Sequence, residues 1–118
     1  MHPAAVVTAG SLLAGCVPHL LVLSGRLPHD LVAGGRIADG RTGRLVSAAS
    51  VPVLVAEAGA ALWAGRRTER ARVVGGLLSA HAALTLVPQL LGTRFERRVA
   101  APICGVWLAG ASALALSA

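Results

Sequence analysis

Three ionisable side chains interrupt otherwise apolar sequence: His19, Glu57 and His81. A carboxyl and an imidazole are well suited to pass a proton near neutral pH. Each is costly to desolvate alone. When they meet, as an ion pair or as a neutral hydrogen-bonded pair, each offsets the cost of the other. Gln89 is a further polar group in similar surroundings and a candidate binding residue. Two chemistries follow from Glu57, His81 and His19. One is a proton-carrying site in a transporter; the other is acid/base catalysis on a lipid-like substrate. A plain interhelical hydrogen bond, worth about 0.6–2 kcal/mol, is the structural alternative.

Whether these groups can meet depends on the elements that carry them. Apolar blocks occupy residues 4–24, 45–65, 73–91 and 100–117. Each is about 18–21 residues long, which at 1.5 Å per residue matches a hydrocarbon core of ~30 Å. All 11 basic residues are arginines and all lie between the blocks. A globular core has no need of that arrangement, whereas charge inside hydrocarbon costs about 2.5–3.5 kcal/mol per residue or more. The fold class is therefore all-α: a polytopic membrane protein of four antiparallel transmembrane helices in one domain, residues 1–118. The apolar first block lacks a basic leader and is read as a retained helix rather than a cleaved signal.

Distance from each block's centre sets depth. Glu57 and His81 fall within about 3 Å of the midplane, on consecutive antiparallel helices. His19 and Gln89 fall roughly 7–10 Å toward the face that carries the first and third connections. Asp30, Asp39, Glu69 and Glu96 are placed in the connections, which leaves Glu57 as the one carboxyl at membrane depth. Pro18 precedes His19 and frees a helical carbonyl that the imidazole can satisfy. Trp63 closes the second block as an interface anchor.

Hydrophobic residues make up 55% of the chain, mean hydropathy is +0.71, and the net charge is +6 with a pI near 11.6. In a soluble protein that charge would suggest nucleic acid. Here the arginines sit at helix ends, where they meet anionic lipid headgroups, and no nucleic-acid partner is expected. Cys16 and Cys104 form no CxxC pair and read as small buried hydrophobes. His19 and His81 differ too much in depth to chelate together, so neither a metal site nor a cofactor is expected. Ala101, Gly105, Ala109, Ala113 and Ser117 place a small residue at every fourth position of the last block, a pattern that permits close helix approach.

The first connection is the longest. Pro28 in a first turn and glycines after Ala33 suit a short interfacial helix over residues 28–33. Its Asp30 and the Gly34-Gly35-Arg36 run are candidate binding residues for a headgroup or phosphate, with the glycine backbone forming an anion nest. The run Leu27-Pro28-His29-Asp30, followed by Gly34-Gly35-Arg36 and preceded by a first helix containing His19, resembles a group of small bacterial four-helix membrane proteins of unassigned function. His29 stands where that group has an aromatic residue, and Ala33 where it has tryptophan. The resemblance implies four spans and no particular activity. In size and span number the chain is also similar to small multidrug exporters, but it lacks their first-helix carboxylate and has no tyrosine.

Two function classes follow. The first is a non-enzymatic, transporter-like oligomer or an accessory subunit of a larger membrane partner. Four spans enclose little volume, so transport would need at least two copies, and a homo-oligomer is expected. The second is a membrane-embedded acid/base enzyme acting on a lipid or isoprenoid. The inner (plasma) membrane is the expected location. The first and third connections hold Arg26, Arg36, Arg41, Arg44, Arg94, Arg97 and Arg98; the second holds Arg66, Arg67, Arg70 and Arg72. This imbalance places both termini outside. Cysteines introduced at Ala38 and Thr68 should therefore react from opposite faces of intact cells, Thr68→Cys from outside. Labelling of both from one face would contradict four spans, and labelling of Thr68→Cys from inside would reverse the orientation.

Overall fold

The computed structural model describes residues 1–31 and 40–117. Four helices are long and apolar enough to cross a membrane, and the described residues contain no strand. They are α1 (Pro3–Leu23), α2 (Gly40–Ala64), α3 (Thr68–Leu90) and α4 (Ala101–Leu116), the last continuing a π-helical turn over Glu96–Ala100. The bundle is 43 Å long, the thickness of a bilayer with its headgroups. Each helix packs antiparallel on its sequence neighbour, and α1 closes the ring against α4. The expected all-α, multi-pass membrane architecture is the one observed.

Helix ends depart from the apolar blocks in a consistent way. The second helix begins at Gly40 rather than 45, the third at Thr68 rather than 73, and helical structure resumes at Arg94 rather than 100. Hydropathy marks the depth of hydrocarbon. Hydrogen bonding carries a helix further, through polar turns that lie among headgroups. The start of α1 is set by His2, whose Nδ1 accepts from Ala4 N at 3.1 Å, and by Pro3 in its first turn. Its end is a Schellman motif. Gly25 adopts φ 76°, Gly25 N donates to Val22 O, and Arg26 N donates to Leu21 O. Beyond it, His29–Leu31 forms a single 3₁₀ turn where an interfacial helix over 28–33 was expected; the rest of that stretch lies outside the described residues.

The bundle is apolar outside and small inside. Leu13, Val17, Leu20, Val55, Leu77, Leu84 and Val87 are exposed, while Ala5, Ala9, Ala58, Ala61, Ala64, Ala71, Ala82 and Ala111 are buried. In hydrocarbon, large side chains gain nothing by turning inward, and small ones let backbones approach closely. The closest approaches cluster at the end that holds both termini. Gly65 of the α2–α3 turn faces Ala5, Gly75 faces the backbone of Ala111 and Ala115, and Gly110 faces Thr8. Ser79 and Ser112 meet at 3.2 Å between α3 and α4. The small-residue stripe expected on the last block is not the contact face. Of its members only Ala101 is buried, Gly105 has open space around it, and the tight seam runs through Gly110 and Ala111. The packed face of α4 carries Cys104, Trp107, Ala111 and Leu114, all buried.

These contacts make a stability prediction. A Cβ at Gly75 would lie 2.6 Å from Ala115 N, and one at Gly110 would lie 2.7 Å from Thr8 Oγ1. Gly75→Val and Gly110→Val should each cost about 1–3 kcal/mol by overpacking. Gly76→Ala, which meets nothing within 4 Å, should be neutral or slightly stabilising. Unfolding of the purified protein by SDS titration in mixed micelles measures all three.

Candidate functional site: a His–Glu pair on an intramembrane chamber

Away from the clamped end the helices part. Pro18 and Pro88 interrupt α1 and α3 there, each removing a helical N–H and bending its helix. The space between the four helices is a chamber of about 640 Å³ within one chain. Its walls are largely apolar, from Leu12, Val46, Val53, Leu54 and Ile103 among others. The polar groups on it are few: His19, His81, Gln89 and Glu96, with small hydroxyls such as Ser50 and Thr85.

His81 Nδ1 lies 2.6 Å from Glu57 Oε1, so the contact expected from depth is formed. Local geometry explains how. Glu57 lies about two helical turns from the 65–67 turn and His81 more than three. Side chains tilt toward the N-terminus of their own helix, and α2 and α3 run oppositely. Glu57 therefore leans away from the shared turn and His81 toward it, and the two close the gap. A contact this short is a hydrogen bond between the imidazole and the carboxyl group. Trp107 meets the imidazole edge-to-face, with centroids 5.0 Å apart and planes at 87°. The His81 side chain is 42% exposed, and the described residues offer its Nε2 no hydrogen bond. Glu57 fixes one nitrogen while the ring faces the chamber. Glu57 Oε2 and Trp107 Nε1 are buried without partners among the described residues.

His19 occupies the other end of the chamber. Its Nδ1 bonds Ser47 Oγ at 3.0 Å, joining α1 to α2. This differs from the expected bond to a carbonyl freed by Pro18, because Ser47 is fully buried at the same level and supplies a better-placed partner. Gln89 lines the same end, and its Oε1 is buried without a partner among the described residues. The chamber thus gathers His19, His81 and Gln89, with Glu57 behind His81.

Glu96 is a correction. It was assigned to a connection, yet it opens the fourth helical span, is 2% exposed and lines the chamber. Thr93 and Glu96 form a capping box: Glu96 N donates to Thr93 Oγ1 at 3.2 Å, and Thr93 N donates to Glu96 Oε1 at 3.4 Å. The Thr-x-x-Glu spacing is the sequence signal that could have found it. Gly92 leaves the room that the carboxylate occupies, since a Cβ there would lie 2.7 Å from Oε1. The Thr93 hydroxyl also lies 3.1 Å from Leu31 O, linking the first and third connections. Trp107 was likewise not singled out as a site residue.

The headgroup-binding residues fare differently. Asp30 is exposed in the 3₁₀ turn, away from the chamber. Gly34, Gly35 and Arg36 lie outside the described residues. His29, beside Asp30, packs on the first turn of α2, where a Cβ on Gly43 would lie 2.7 Å from its ring. At the opposite face Trp63 is half exposed under the Arg70 guanidinium, 4.0 Å from the ring centroid. Arg44 donates to Leu23 O at 3.0 Å and ties the end of α1 to the start of α2.

The pair generates a clear contrast between variants. Glu57→Leu leaves His81 Nδ1 unpaired and should destabilise the protein by about 1–3 kcal/mol. Glu57→Gln keeps a hydrogen bond and should cost less than about 1 kcal/mol. The same SDS titration reads both; equal losses would mean that the bond contributes nothing to α2–α3 packing. No family model matches this chain, and no curated protein or solved structure is detectably similar to it, so its function is read from its own residues and their geometry.

Proposed function

We propose that this chain is a small integral protein of the inner (plasma) membrane that holds a lipid-soluble molecule in its chamber. It acts without converting that molecule, as a transporter-like carrier or as an accessory subunit of a larger membrane complex. The chamber itself carries this reading. Its volume of about 640 Å³ lies within the range of small-molecule sites, so a single copy is enough for binding. An apolar wall with a few convergent polar groups is the usual composition of such sites. Assembly into homo-oligomers then serves passage rather than binding. The arginines of the connections meet anionic headgroups at both faces.

One observation favours a second reading. Glu57 holds His81 by Nδ1, and among the described residues Nε2 has no partner on the chamber side. A carboxylate that orients an imidazole in this way prepares it to take or give a proton at its other nitrogen. On that reading the protein is a membrane-embedded acid/base enzyme acting on a lipid or isoprenoid. A carrier uses the same pair to couple a proton to occupancy.

Extraction into native-membrane nanodiscs, followed by mass spectrometry of bound lipids and proteins, tests both. The expected result is one lipid-soluble species near one per chain, depleted in Gly15→Leu, which narrows the chamber. Recovery of that species unchanged after incubation supports the carrier, and a stoichiometric protein partner supports the subunit. Conversion that stops in His81→Gln supports the enzyme. The absence of any species enriched over bulk lipid would overturn the proposal.

A further inference from the structure

We infer that the seam between α2 and α3 is a lateral portal through which a single-chain molecule with an uncharged, oxygen-bearing head enters the chamber from the bilayer. The inference rests on the chamber being a binding site and names its occupant and route. Although α2 and α3 are joined by a short turn, they pack together far more loosely than the other neighbouring helices. Ala49 and Val53 of α2 both line the chamber and are exposed. Across the seam, His81 and Thr85 of α3 line the chamber and are partly exposed. Exposed residues on the wall of a cavity mark where it opens. This mouth lies within the spans, so it opens on lipid rather than on water.

The Glu57–His81 contact bridges the seam beside this opening, a polar strut where the helices otherwise part. A molecule already dissolved in the bilayer reaches the mouth without crossing a headgroup layer, whereas a water-soluble one does not. Its chain is matched by Val53, Leu54 and Ile103. Its head is selected by hydrogen-bonding groups. Trp107 is 4% exposed, lines the chamber, and its Nε1–H meets no acceptor among the described residues. His81 brings a second nitrogen to the same neighbourhood, since the two rings are in contact. An oxygen acceptor on the ligand, a hydroxyl or a carbonyl, satisfies the indole N–H that the protein leaves unpaired.

The test uses the full chain in phosphatidylcholine vesicles with a long-chain alcohol carrying a diazirine in its chain, added to the membrane and photolysed at intervals. Expected are adducts on the chamber-facing residues Leu54 and Ile103. The rate at which these adducts appear should fall at least tenfold in Ala49→Trp or Val53→Trp. It should not change in Leu84→Trp, on the outer surface away from the chamber. Trp107→Phe should weaken retention of the alcohol by about two- to tenfold, the loss of one hydrogen bond, and leave a diazirine alkane of equal length unaffected. Chamber labelling at an unchanged rate in both rim variants would overturn the portal and leave the binding reading standing. Equal effects of Trp107→Phe on alcohol and alkane would overturn the head assignment. Labelling confined to the outer surface would remove the chamber as a binding site and the portal with it.

Discussion

Hydrocarbon lies on the outside of this bundle, and that constraint governs its construction. With no gain from burying large apolar groups, helices hold together through close backbone approach and through the few polar bonds available. The protein spends its small residues at one end. Ala5 against Gly65, Gly75 against Ala111 and Ala115, and Gly110 against Thr8 draw the helices together near the termini. The other end has prolines in α1 and α3 and larger side chains between the helices. Clamped at one end and held apart at the other, four spans enclose a space that uniform packing would have filled.

Polar contacts take over where small-residue packing stops. His19–Ser47 joins α1 to α2, Glu57–His81 joins α2 to α3, and Cys104 Sγ reaches Ala82 O at 3.2 Å between α4 and α3. Each bridges helices around the chamber. Groups that line the chamber therefore also set its width.

Much of this was legible in the sequence, for identifiable reasons. Arginine is excluded from hydrocarbon so strictly that the gaps between blocks map the spans. Glu57 and His81 are rare residue types at one depth on adjacent helices, which makes their contact readable without coordinates. The Ser47 partner of His19 was not readable, because serine is common and unobtrusive in an apolar helix. Glu96 was missed because its position among arginines suggested a solvated turn. A capping box uses an acid to satisfy backbone N–H groups, and once that is done the side chain can be buried. The chamber was invisible for another reason. Its volume depends on where three dimensions of packing fail, and no residue type announces that.

The Glu57–His81 contact also bears on how the chain enters the membrane. Synthesis delivers α2 before α3, so Glu57 reaches hydrocarbon depth while His81, 24 residues later, is still to come. A lone acid at the centre of a span is penalised by about 2.5–3.5 kcal/mol on insertion. Mean hydropathy of 1.8 for α2 gives that helix strong insertion drive of its own, and α3, at 1.5, is the weakest of the spans. The pairing thus lends support in both directions: when the two enter together, α2 gains a partner for its acid and α3 gains a docking point on the more apolar helix. The short 65–67 turn keeps the two within reach of one another, so biogenesis favours their entry as one hairpin.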